Sequence, residues 1–68
     1  MTNHETTDAT DRLILAELKK NARASFTEIG GVVGLTRPAV RERIRRLEDE
    51  GVIMGYTALV DPAPLGSP

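Results

Sequence analysis

Cysteine and tryptophan are absent from this 68-residue chain, and phenylalanine, tyrosine and histidine each occur once. Each shortage removes a class of function. Without cysteine there is neither a disulfide nor a thiolate zinc site. The one histidine, His4, lies in a polar leader and cannot hold a metal alone, so no metal ligand and no cofactor are expected. A single Phe and a single Tyr give no platform on which unpaired bases could stack, which argues against single-strand binding. No apolar run approaches the roughly 20 residues that cross a bilayer. Met1 to Thr7 lacks the apolar stretch of a signal peptide. The expectation is a soluble, cytoplasmic protein with no membrane partner. Catalysis lacks its parts too: with no thiol, no usable histidine and no carboxylate pair in a plausible cleft, no catalytic residue and no enzyme is expected.

The length allows one small domain. A core of this size is marginal unless a disulfide, a metal or a partner chain supports it. With the first two excluded, a partner chain remains.

What is present is charge, unevenly spread. The net charge is −1, which taken globally speaks against a nucleic-acid partner. The distribution reverses the argument. Of nine basic residues, five fall within ten positions, and all five are arginine: Arg37, Arg41, Arg43, Arg45 and Arg46. Most acids lie elsewhere, and the local field rather than the sum governs binding.

Three helices are legible. The leader, 1–7, has no periodicity and reads as disordered. Asp8 suits an N-cap, with Asp11 in the first turn, and Ala9 to Lys20 reads as a helix with Ile14, Leu15 and Leu18 on one face. Ser25-Phe26-Thr27-Glu28 is a capping box that opens a short helix, Phe26 to Val33, which Gly34 ends. Thr36 caps a third, near 37–50, with Pro38 in its first turn and Val40, Ile44 and Leu47 as its apolar stripe. Gly51 closes it. Val52 to Val60 is β-branched and apolar and reads as a strand, bent at Gly55. Asp61-Pro62 marks a turn, and the sequence assigns nothing to Ala63–Pro68.

A short helix, the tight Gly34-Leu35-Thr36 connection and a basic helix form the helix-turn-helix signature. Gly30 fits a position where the third helix crosses the second closely. On a helical wheel centred on Val40, Ile44 and Leu47, the residues Pro38, Glu42, Arg45 and Asp49 point away from the core. Ala39 and Arg46 flank them on one side and Arg41 on the other, while Arg37 and Arg43 lie nearer the core boundary. The outward face at the N-terminal end is what a recognition helix offers to base edges. Arginine can bond both guanine acceptors and Glu42 can accept from a cytosine amine, whereas Arg37 and Arg43 are better placed for phosphates. The candidate DNA-binding set is Thr36, Arg37, Pro38, Ala39, Arg41, Glu42, Arg43, Arg45 and Arg46.

Plainer readings sit beside this one. The arginine cluster can be a solvated face, with Arg45 paired to Asp49 one turn on. Asp11 falls on the apolar face of the first helix and reads as a structural carboxylate paired with an arginine of the third. Leu13 points away from the core, as single exposed leucines do. Gly30-Gly31 with Gly34 is not a phosphate loop, because no Lys-Ser/Thr follows and no strand precedes. A protein-interaction module built on the same fold is the alternative function, since fold does not fix function.

Several stretches resemble the N-terminal domain of the Lrp/AsnC family, the leucine-responsive and asparagine-type "feast/famine" transcription regulators. They are Asp11-Arg12, Ile14-Leu15, Asn21, Glu28-Ile29, Val33-Gly34-Leu35-Thr36, Val40, Arg43, Arg46-Leu47-Glu48 and Gly51-Val52-Ile53-Met54-Gly55-Tyr56, closing on Asp61-Pro62. The resemblance covers about residues 8 to 66, and Gly51 to Tyr56 is its most specific part, because a generic helix-turn-helix does not demand it. It implies a mainly α fold, a three-helix winged helix-turn-helix (8–51) with a C-terminal hinge or wing strand and the start of a linker (52–68). It implies sequence-specific binding of prokaryotic double-stranded DNA, a homodimer joined through strand 52–60, and an amino-acid effector that acts only through a C-terminal domain absent from this chain. The chain accordingly reads as a fragment, a truncated product or a stand-alone DNA-binding module. It departs from the family in Gly30-Gly31, where better helix formers are usual, and in Arg37, where small polar residues are common.

Overall fold

In the computed structural model, residues 7–65 are described. They form four helices: α1 (Ala9–Lys20), α2 (Phe26–Val33), α3 (Arg37–Asp49) and a single turn, α4 (Pro62–Leu65). The expected leader falls almost wholly outside the described residues, as do positions 66–68.

Each main helix starts on the cap its sequence specifies. Asp8 Oδ1 accepts from the Asp11 amide at 2.8 Å, and the Asp11 side chain accepts from the Asp8 amide at 3.3 Å, so a capping box is built from two aspartates. At α2 the Ser25 hydroxyl accepts from the Glu28 amide at 3.0 Å and the Ser25 amide donates to Glu28 Oε1 at 2.9 Å. At α3 the Thr36 hydroxyl accepts from the Ala39 amide at 3.3 Å, with Pro38 in the first turn, where no helical partner for an N–H exists.

The apolar stripes meet in one small core. Ile14 of α1, Ile29 of α2, and Val40 and Ile44 of α3 are buried together, and Leu47 is also fully buried. Leu18, Ala24, Phe26, Val33, Leu35 and Ile53 close over them. Gly34, at φ 77°, makes the turn between α2 and α3 in a left-handed conformation that a Cβ would strain. Its amide and that of Leu35 both donate to the Gly30 carbonyl, at 2.8 and 3.0 Å. This tight turn folds over Gly30: a Cβ there would lie 2.4 Å from the Leu35 carbonyl oxygen and 3.5 Å from a Val40 methyl. Gly30 therefore clears the turn first and the crossing helix second.

The expected strand Val52–Val60 does not form, and no strand exists among the described residues. Its first residues instead finish α3. The Gly51 amide donates to the Glu48 carbonyl at 3.1 Å and the Val52 amide to the Leu47 carbonyl at 2.9 Å, the crossed pair of a Schellman motif. The Ile53 amide also reaches the Leu47 carbonyl, at 3.1 Å, and its side chain packs on the core. Beyond it the backbone has no regular structure. The physical reason is that a strand is defined by its ladder, and this chain offers no second strand to pair with. At Asp61-Pro62 the expected turn appears: Asp61 Oδ1 accepts from the Ala63 amide at 2.9 Å and opens α4.

Candidate nucleic-acid interface

The face of α3 opposite the core stripe is free. Thr36, Arg37, Pro38, Arg41, Glu42 and Arg45 are exposed at and beyond its N-terminus, and Ala39 is half-buried beside them. Among the described residues neither Arg37 nor Arg41 has a carboxylate partner. Arg45 faces Glu42 at 3.9 Å, not Asp49 as expected; both side chains are well exposed, so the pair is weak.

Two open clefts flank these arginines. One, of about 490 Å³, is lined by Phe26, Arg37, Pro38 and Arg41. The other, of about 440 Å³, has Arg41 and Arg45 on one wall and Leu18, Ala24 and Tyr56 among its apolar residues. Arg41 stands between the two. The sequence reading does not single out Phe26; its legible signal is an aromatic directly after the α2 cap, and the fold sets it in one cleft with Arg37, Pro38 and Arg41.

Arg43 and Arg46 are placed differently from the rest of the candidate set. Arg43 Nη1 donates to both oxygens of Asp8, at 3.0 and 2.8 Å, and to Asp11 Oδ1 at 3.2 Å. Arg46 Nη2 donates to Asp11 Oδ2. The Asp11 side chain is fully buried, whereas those of Arg43 and Arg46 retain 30% and 41% of their exposure. The expected structural carboxylate is therefore present, with two arginine partners instead of one. The signal for this was in the sequence: acids three apart on α1 match arginines three apart on α3. The hydrogen bonds from Arg43, and then from the Asp11 amide, hold the Asp8 carboxyl down at about 2. The same carboxylates raise the Arg43 pKa above its usual value.

At the far end of α3, the Tyr56 hydroxyl donates to Glu48 Oε2 at 2.7 Å and pins the segment that leaves the helix. Burial first, and the Glu48 carboxylate second, push the phenol up to about 12.

A short capped helix, a left-handed glycine turn and a second helix whose outer face is arginine-rich define a helix-turn-helix protein. Residues 8–48 match the model of the AsnC-type helix-turn-helix domain, and the chain belongs to that family. It is 52% identical over 59 residues to an uncharacterized HTH-type transcriptional regulator of Pyrococcus horikoshii, covering 87% of this chain and 38% of that protein. It is 51% identical over 59 residues to the proline dehydrogenase transcriptional activator of Rhodobacter capsulatus, with the same coverage of 87% and 38%. Among solved structures, LrpC of Bacillus subtilis superposes with a TM-score of 0.75 at 46% identity, covering 87% of this chain and 42% of that one. The leucine response regulatory protein of Mycobacterium tuberculosis does so with 0.76 at 39% identity, covering 87% and 40%. The chain thus spans about two fifths of the length of the relatives it matches.

Proposed function

We propose that this chain is the DNA-reading module of a prokaryotic transcriptional regulator and binds double-stranded DNA by placing α3 in the major groove. One observation carries the reading: α3, entered through the Gly34 turn, presents Arg37, Arg41 and Arg45 on an uncovered face while its opposite face is locked into the core. Arg41 and Arg45 are the base readers, suited to the two acceptors of guanine, and Glu42, released from Arg45, accepts from a cytosine amine. Arg37, at the helix start, takes a phosphate, with Thr36, Pro38 and Ala39 forming the close-approach surface. The names of the relatives, HTH-type transcriptional regulators and a transcriptional activator, support this reading.

Residues 8–51 then form the reading unit and 52–68 the hinge and start of a linker. In the complete regulator an amino-acid effector acts through a further domain, and the protein works in the cytoplasm, where its DNA lies. Two copies pair along residues 52–60. Met54 and Leu59 are 95% and 97% exposed, and beyond Ile53 the apolar segment has no partner strand among the described residues, which leaves backbone able to pair with another chain. Pairing would set two recognition helices about one helical turn apart.

The test is a titration of a duplex selected from a random pool, and of random duplex, at two salt concentrations. Binding should weaken steeply as salt rises. Arg41→Ala and Arg45→Ala should weaken selected-duplex binding more than random-duplex binding; equal losses would make them phosphate contacts. No binding at any salt would replace this reading with an interaction module. Light scattering over a concentration series, with and without duplex, tests the dimer, and a strict monomer throughout sinks it.

A further inference from the structure

We infer that Asp11 is a positioning residue for DNA binding: with Asp8 it ties Arg43 and Arg46 to α1, withholding two of the five α3 arginines from phosphate and fixing the rotation at which the other three meet the duplex. The inference rests on the duplex-binding reading above.

The geometry is a two-rung bolt between helices. Asp8 and Asp11 stand three residues apart at the start of α1, and Arg43 and Arg46 stand three apart on α3. Arg43 spans both acids, and Arg46 closes on Asp11. Two negative and two positive charges cancel within the cluster. Asp11 has both oxygens engaged and is sealed from water, so removing these arginines would leave a buried carboxylate without its ion-pair partners. Arg46 also keeps its Nε buried, with no hydrogen-bond partner among the described residues. The Nε side of that guanidinium is covered by protein while Nη2 bonds Asp11, so the group is held at the helix interface although the side chain keeps 41% of its exposure. The apolar stripe alone constrains α3 by packing, which tolerates some roll. Three directional ion pairs set on one side of the helix do not. Arg41 and Arg45, on the other side, are aimed accordingly.

The assignment separates from a purely structural role through the salt dependence of binding. Each phosphate neutralised contributes about 0.9 to the slope of log affinity against log salt. Anisotropy titrations of the whole chain and its variants, on selected and random duplex across a salt series, read that slope, and circular dichroism confirms the folded fraction. Arg37→Gln should lower the slope by about 0.9. Arg43→Gln and Arg46→Gln should leave it unchanged while weakening selected-duplex binding. Asp11→Asn frees arginines for phosphate, so the slope should steepen by about 0.9 for each one freed, random-duplex affinity should rise and the selected-to-random ratio should narrow. A structural role alone would lower both affinities in parallel at constant slope. A fall of about 0.9 in Arg43→Gln or Arg46→Gln, or an Asp11→Asn protein with unaltered slope and ratio, overturns the inference. If Asp11→Asn fails to fold, the two arginine variants, each leaving Asp11 one partner, decide alone. Wild-type chain that binds duplex with the wrong slopes refutes only this inference, whereas wild-type chain that binds no duplex at low salt refutes the functional reading with it.

Discussion

Two adjacent glycines in α2 give an internal control on the packing of the helix-turn-helix. Gly30 and Gly31 lie in the same helix, so alanine brings each the same gain in helix propensity, about 1 kcal/mol. Their surroundings differ completely. At Gly31 an added Cβ meets nothing within 4 Å. At Gly30 it lands 2.4 Å from the Leu35 carbonyl oxygen, and an ordinary contact of 3.4 Å requires that carbonyl to retreat by about 1 Å. The obstacle is backbone, held by the two hydrogen bonds that the Gly30 carbonyl accepts from the turn, so no rotamer change relieves it. Overpacking a tight site costs about 1–3 kcal/mol, and a backbone obstacle belongs at the top of that range. Set against the propensity gain, Gly30→Ala should lose about 2 kcal/mol net and Gly31→Ala should gain about 1 kcal/mol. In a domain of this size 1 kcal/mol moves the midpoint by about 4–8 °C, so the two variants should melt roughly 12 °C or more apart. Thermal unfolding followed by circular dichroism measures this directly. Equal melting temperatures, or a Gly30→Ala protein more stable than Gly31→Ala, would refute the placement of the turn over Gly30.

Three further outcomes are expected. Val40→Asp places an unpaired charge at a fully buried site and should abolish cooperative unfolding, because the penalty matches the whole stability of so small a core, about 3–5 kcal/mol; a retained sharp transition would contradict the orientation of α3. Asp8 ionises in the fold at about 2, below its ordinary 3.8, so its charged form stabilises the native state. That contribution is complete above about pH 4 and is lost as pH falls toward 2, with Glu28, lowered by the Ser25 amide and hydroxyl, acting in the same direction. Urea unfolding at about pH 5 and about pH 2.5 should show a smaller acid loss in Asp8→Asn than in the wild type. Tyr56 is raised from 10.0 to about 12, so its neutral form stabilises the fold; the contribution is present below pH 10 and lost on rising to about 12, and Tyr56→Phe should remove that alkaline loss.

The helices were legible because their determinants are local. Asp8, Ser25 and Thr36 each bond an amide three residues on, and Gly34 and Gly51 adopt left-handed φ within their own turns, so a few neighbouring residues are enough to set each boundary. The stripe of Val40, Ile44 and Leu47 is a matter of period, and period alone is enough to orient α3. Three things depended on residues far apart in the chain. The two-acid, two-arginine cluster joins positions 32 to 35 residues apart; the sequence offers Asp11 one arginine of α3, but only the folded interface brings both Arg43 and Arg46 onto it and adds Asp8. The tightest approach at Gly30 is to a carbonyl of the turn, with Val40 of the crossing helix next, and only the folded backbone specifies that order. The segment 52–60 carries strand composition, yet composition supplies only a willingness to pair. Whether a ladder forms is decided by another strand, and within this chain the segment is spent instead on closing α3 through Val52 and Ile53 and on tethering Tyr56 to Glu48.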